Sequence, residues 1–148
     1  MRVVVQRCSR AEVRIDGERV GHIEKGFVLL VGITDTDSRE QADVLAKKIC
    51  QLRVFEDAEG KTNLSLADVD GSLLLVSQFT LYANCKKGYR PSFIDAGSPE
   101  HAEKLYEYII GKCKEVIPTV ETGIFGADMK VKLENDGPFT IVLDSEAL

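Results

Sequence analysis

Phe27-Val-Leu-Leu-Val-Gly-Ile33 runs seven residues without a charge or a hydrogen-bonding side chain. It is far shorter than the ~20 residues that cross a bilayer, so it must be a strand buried in a folded core. Its neighbours read in the same way. Arg2–Cys8 is rich in β-branched residues, and Ala11–Glu24 alternates apolar and polar residues around Asp16-Gly17. That dipeptide is favoured by type I′ hairpins, so two strands joined by a tight turn are expected. Ser72–Leu81, SLLLVSQFTL, follows Asp70-Gly71 as a second largely buried strand whose C-terminal end carries the polar residues.

Two stretches break this β pattern. Ser38 and Gln41 form a capping box before apolar residues at Ala42, Leu45, Ala46, Ile49 and Leu52, the spacing of an amphipathic helix. A second helix opens with Ser98 as N-cap and Pro99 at the first helical position. It carries a buried stripe at Ala102, Leu105, Ile109, Cys113 and Val116, and Pro118 stops it. Val120–Asp144 reads as three short strands separated by glycine, with Asn135-Asp136-Gly137 as a tight turn. Pro138 is awkward there, because proline has no N–H for a ladder and is confined to edges, first strand positions and bulges. The fold class expected is α+β and β-rich: one domain over 1–148, a curved or barrel-like sheet of hairpins covered by two main helices.

The bulk chemistry removes several function classes. The N-terminus has too short an apolar run for a secretory signal, and the cysteines Cys8, Cys50, Cys85 and Cys113 are far apart with no CxxC pair. Reduced thiols and a cytoplasmic location are therefore expected, with no metal site and no cofactor. No GxSxG, HExxH, GxxxxGK[ST] or GxGxxG motif is present. A net charge of −5 disfavours long nucleic acid held by phosphate neutralisation, so no DNA partner is expected. One basic cluster stands apart, CKKGYRPSF, where Lys86, Lys87 and Arg90 surround Gly88 and Tyr89. A solvated loop is the plain alternative for it. Ser77, Gln78 and Thr80 offer hydroxyl and amide groups at a strand end, where backbone N–H groups are placed to face a developing oxyanion; ordinary strand residues are the alternative.

The segments SQFTL (Ser77–Leu81) and NDGPFT (Asn135–Thr140) together resemble the two signature motifs of the D-aminoacyl-tRNA deacylases, SQFTL and NxGP[VF]T. MRVVVQR, GFVLLVGI, LRVFED, GKTNLS, KGYRPSF and VETGIFGADM resemble that family in the same order, so the likeness spans most of the chain. It implies a homodimeric cytoplasmic esterase that cleaves D-amino acids, and glycine, from the 3′ acceptor end of tRNA. Gly137 and Pro138 would form a cis peptide inserted into the partner's active site, and their carbonyls would exclude an L side chain.

On that resemblance the strand end Ser77, Gln78, Phe79 and Thr80 is assigned to the scissile ester, with the Gln78 and Phe79 N–H groups near the oxyanion. Water is preferred as nucleophile, with Thr80 positioning it, and Phe79 is equally readable as core. Lys86, Lys87 and Arg90 are assigned to tRNA phosphates. Asn84 and Cys85 depart from the family's usual polar residues, and no functional conclusion follows. Two rivals remain open: a non-catalytic dimeric RNA-binding module, and a deacylase with a trans Gly-Pro bond and relaxed chirality.

Overall fold

A computed structural model describes residues 1–148. The strands are β1 (Arg2–Ile15), β2 (Glu18–Ile23), β3 (Gly26–Gly32), β4 (Phe55–Glu56), β5 (Thr62–Leu64), β6 (Ser72–Ser77), β7 (Val120–Thr122) and β8 (Lys130–Asp144). The helices are α1 (Arg39–Gln51) and α2 (Pro99–Lys114). β1 and β2 pair antiparallel across the expected Asp16-Gly17 turn, where both residues take positive φ. The main sheet runs β2-β1-β3-β6-β7, with β8 on the other edge of β1. β3 pairs parallel with β6, and β6 with β7, so each helix lies in a crossover between parallel neighbours.

Side-chain alternation sorts these strands into two apolar clusters. Val3, Val5, Phe27, Leu29, Leu73 and Leu75 face the helices, joined by Leu45, Ile49, Leu105 and Ile109. Their neighbours Cys8, Val13, Val28, Leu74 and Val76 point to the opposite face. β2 leans over that second cluster toward β7: the His22 N–H reaches Glu121 Oε1 at 3.5 Å, and a Cβ on Gly21 would lie 2.9 Å from the Thr122 carbonyl oxygen. The sheet is thus curled into a nearly closed barrel, and a strand covered on both faces needs the unbroken apolar sequence of Phe27–Ile33.

The helices differ in how they begin. Ser38 and Gln41 make the full capping box. Ser98 occupies the N-cap of α2, but its side chain makes no capping bond, and its N–H donates instead to Asp35 Oδ1 at 2.8 Å. The buried stripe of α2 also departs from expectation. Val116 is 58% exposed, while Tyr106, Ile110 and Ile117 are buried. The helix ends at Lys114, so Val116 lies beyond the periodic register that made it look like core. No helix is long and apolar enough to cross a membrane.

The C-terminal region holds the largest correction. Instead of three short strands there are two, and β8 runs for 15 residues through the supposed turn. A turn would send the chain back against itself, whereas both halves of β8 pair with the same strand, β1. Gln6 faces Thr140 and Cys8 faces Asn135, so Arg7 alone stands against the four residues Asp136–Phe139, which are pushed out as a bulge. The side chain of Asn135 replaces the lost ladder bonds. Its Oδ1 accepts the Phe139 N–H at 2.6 Å, and its Nδ2 donates to Thr140 Oγ1 at 3.0 Å. The awkward proline is therefore a bulge residue, one of the few places a strand tolerates it.

Candidate active site

β6 and β7 part company at one carbonyl. Their pairing runs from Leu73–Val120 to Leu75–Thr122, and the last bond of the series is from the Gly123 N–H to the Leu75 oxygen at 2.9 Å. The buried phenol of Tyr106 donates to the same oxygen at 2.8 Å, and burial pushes its pKa up, which keeps it a donor. Beyond this fork β6 continues through Val76 and Ser77 while the other chain swings out through Ile124–Met129. A cavity of about 570 Å³ opens between them.

One wall is Ser77, Gln78 and Phe79; the other is Phe125, Gly126, Ala127 and Met129; and Phe93, Ala96 and Gly97 close the side. Asp128 is the one charged residue of the lining, and its carboxylate is held by Lys130 Nζ at 3.1 and 3.2 Å. Small residues at Gly97, Ala96, Gly126 and Ala127 leave the room, and a Cβ on Gly97 would press within 3.1 Å of the Ile33 oxygen. No group of three or more His, Cys, Asp or Glu side chains is placed to hold a metal ion.

The sequence SQFTL is not all strand. β6 stops at Ser77, and Phe79–Tyr82 forms a 3-10 turn with Gln78 as its N-cap. This changes which N–H groups are free. The Gln78 N–H is spent on the Val31 oxygen at 2.8 Å, continuing the β3–β6 ladder, so it does not face the cavity as an oxyanion donor. The N–H groups at the start of a helical turn have no partner within it. Neither Phe79 nor Thr80 gives its N–H to a turn, loop or cap acceptor, and no side chain caps them. Thr80 is exposed, and its Oγ1 accepts from Gln78 Nε2 at 2.5 Å; an amide is no base. Phe79 is 56% exposed and meets Phe93 edge-on with ring centroids 5.0 Å apart, which places it on the cavity rim and not in the core.

Other expected residues lie elsewhere. Lys86, Lys87 and Arg90 are exposed on a loop that rises from the rim and do not line the cavity. Gly137 and Pro138 are exposed on the β8 bulge and are absent from the lining of their own chain's cavity. The peptide bond between them is cis.

Arg7 holds the bulge, and the sequence reading missed it. Its side chain is almost wholly enclosed, with Nε donating to the Asp136 oxygen at 3.0 Å and Nη1 to the Val54 oxygen at 2.6 Å. Its guanidinium also lies 4.6 Å from the centre of the Phe139 ring. Alternation held the clue, since Arg7 falls on the same face as Val3 and Val5, where a charge has no business without a task. Replacing Arg7 with Met keeps the bulk and strands two carbonyls. A loss of about 2–4 kcal/mol is expected, seen as a fall of roughly 5–10 °C in the melting temperature.

The family model for D-Tyr-tRNA(Tyr) deacylase matches residues 4–144. A D-aminoacyl-tRNA deacylase of Clostridium novyi (strain NT) is 55% identical, the match covering 99% of this chain and 98% of that one. Another, from Lactobacillus acidophilus, is 58% identical over 97% of this chain and 99% of its own length. Among solved structures, one described as c-Myc DNA Unwinding Element Binding Protein superposes with a TM-score of 0.92 at 39% identity, covering 97% and 98% of the two chains. A probable eukaryotic D-amino acid tRNA deacylase shares the fold at a TM-score of 0.82 and 17% identity, covering 96% and 97%. Fold, cavity and likeness together define an enzyme that cleaves the ester of an aminoacyl-tRNA. The chain belongs to the D-Tyr-tRNA(Tyr) deacylase family.

Proposed function

We propose that this deacylase is a chiral proofreader. It hydrolyses D-aminoacyl-tRNA and glycyl-tRNA in the cytoplasm, spares L-aminoacyl-tRNA, and works as a homodimer in which each protomer completes its partner's cavity with Gly137 and Pro138. The observation that carries this reading is the bulge on β8: the chain spends four residues and a buried arginine to present a Gly-Pro segment that its own cavity does not use. A wall of main-chain carbonyls distinguishes mirror images simply. With ester and ammonium anchored, an L side chain strikes the wall and a D side chain points to solvent, while glycine offers nothing to reject.

The chemistry follows from the strand end. A water oxygen adds to the ester carbonyl carbon, and the negative oxygen that forms is met by the Phe79 and Thr80 N–H groups, the free donors of the turn. The carbon–O3′ bond then breaks and the ribose O3′ takes the proton that the attacking water gives up, with the adjacent 2′-hydroxyl in reach to relay it. Ser77 orders the strand end, and Gln78 fixes Thr80 through its amide. Thr80 serves as a positioning group, because an unaided hydroxyl is a weak nucleophile. Lys86, Lys87 and Arg90 meet phosphates of the acceptor end, so affinity is local and falls with salt. The acidic balance of the chain speaks against DNA as a partner.

The test uses catalytic amounts of enzyme with the D, L and glycyl forms of aminoacyl-tRNA. Loss of the D and glycyl forms with the L form intact is expected, and equal loss of D and L overturns the reading. Thr80→Ala is expected to keep most of the kcat; abolition of activity in a folded Thr80→Ala protein would argue for covalent catalysis instead.

A further inference from the structure

The loop between the two cavity walls carries a side chain that no role above uses. Asn84 and Ser92 pinch its base through a pair of backbone bonds, Asn84 N–H to the Ser92 oxygen at 2.7 Å and Ser92 N–H to the Asn84 oxygen at 2.9 Å. The Lys86 N–H donates to Asn84 Oδ1 at 3.0 Å, and Gly88 turns the apex at φ +59°. The result is a closed hairpin loop. Immediately after Gly88, Tyr89 stands 105% exposed, its ring in water on every side. Ile94, just past the loop, is 85% exposed as well.

An aromatic ring held in the open on a pinned loop is matched here by charge. Lys86, Lys87 and Arg90 flank Tyr89, no acidic residue lies between Asn84 and Ser92, and none of the three cations is engaged in an ion pair. This occurs in a chain whose net charge is −5. The loop is also joined to the cavity, because Phe93 follows Ser92 directly and packs on Phe79 at the rim.

We infer that the Asn84–Ser92 loop grips the unpaired nucleotides just 5′ of the aminoacylated residue, with Tyr89 stacking on one of their bases while Lys86, Lys87 and Arg90 take the phosphates. The inference rests on the aminoacyl-tRNA deacylase reading of the cavity. A substrate whose aminoacyl end enters between Phe79 and Phe125 must lead its next nucleotides past this rim. Stacking suits the task, since every base presents a π-face and a proofreader must accept many tRNA species; the contact adds affinity without adding sequence preference.

Two substrates separate the loop from the cavity: a D-aminoacyl-tRNA, and the same D-amino acid esterified to adenosine alone. The readout is the ratio of their kcat/KM values. Tyr89→Ala is expected to lower the tRNA-to-adenosine ratio about tenfold, through KM of the tRNA substrate, and Tyr89→Trp to restore it. The slope of tRNA affinity against salt is expected to become shallower in Lys87→Ala and to stay steep in Tyr89→Ala, since only the cation releases counterions. An unchanged ratio in Tyr89→Ala, failure of Trp to restore it, or a Tyr89→Ala protein that dissociates to monomers overturns the inference; the last would make the loop a subunit contact. A wild-type protein inert on both substrates overturns the deacylase reading and this inference with it.

Discussion

Gly137→Ala is expected to fold and to lose about 100-fold in kcat/KM on D-aminoacyl-tRNA, with a marked loss of discrimination between D and L forms. The argument begins at the backbone. Gly137 sits at φ +136°, a conformation that L side chains rarely adopt. An added Cβ would lie 3.0 Å from the Phe139 N, 3.2 Å from the Phe139 Cβ and 3.2 Å from Arg7 Nη2. The alanine methyl therefore presses on both Phe139, the last residue of the bulge, and the guanidinium that holds the bulge open. Strain of this kind costs about 1–3 kcal/mol, which a domain of this size survives. Function is less forgiving, since a displacement of ~1 Å at a surface that orients substrate costs ~10²-fold.

The melting temperature and the kinetics of the D, L and glycyl substrates read the two effects separately. A Gly137→Ala protein with intact stability and intact enantioselectivity would show that the bulge has no part in the site. On the proposed reading the glycyl substrate is the useful control, because it has no side chain for a carbonyl wall to reject. Its rate tracks the damage to orientation, while the D-to-L ratio tracks the wall.

What the sequence reveals of this molecule divides along a physical line. Local signals are legible: Asp16-Gly17 makes its hairpin, the Ser38–Gln41 box starts its helix, and Phe27–Ile33 lies buried on both faces. Each depends on residues within a few positions of one another. Asn135-Asp136-Gly137 misleads because the same dipeptide chemistry serves a turn or a bulge, and the choice is made by a partner about 130 residues away in sequence, Arg7 with its bonds to Asp136 and Val54. The site shows the same division. Ser77, Gln78 and Phe79 of SQFTL line the cavity, yet which of the segment's N–H groups are free is settled by β3, whose Val31 oxygen claims Gln78. The opposite wall at Phe125–Met129 has one charged residue, Asp128, whose carboxylate is held by Lys130. Only the divergence of β6 and β7 beyond Leu75 brings it into the cavity.

The donor assignment has its own consequence at Phe79. Phe79→Pro is expected to lower kcat by about 10²–10³-fold relative to Phe79→Ala, the loss that follows removal of one oxyanion donor. Comparing the two variants isolates the N–H, since both lack the ring that packs on Phe93 and differ chiefly in whether the main chain can donate. The position accepts proline on three counts. Phe79 is the first residue of its 3-10 turn, where a missing N–H breaks no bond within the turn. The backbone range of such turns, φ about −50 to −70°, includes the value proline imposes. Gln78 before it lies at φ −145° and ψ 80°, outside the α region that a following proline disfavours. Stability should therefore differ little between Phe79→Pro and Phe79→Ala, and thermal unfolding of both checks this. With folding matched, a large kcat difference at similar KM places the donor at the transition state, because the developing oxyanion needs it more than the resting carbonyl does. Equal kcat values in the two variants would remove Phe79 from the oxyanion site and leave the Thr80 N–H to act without it.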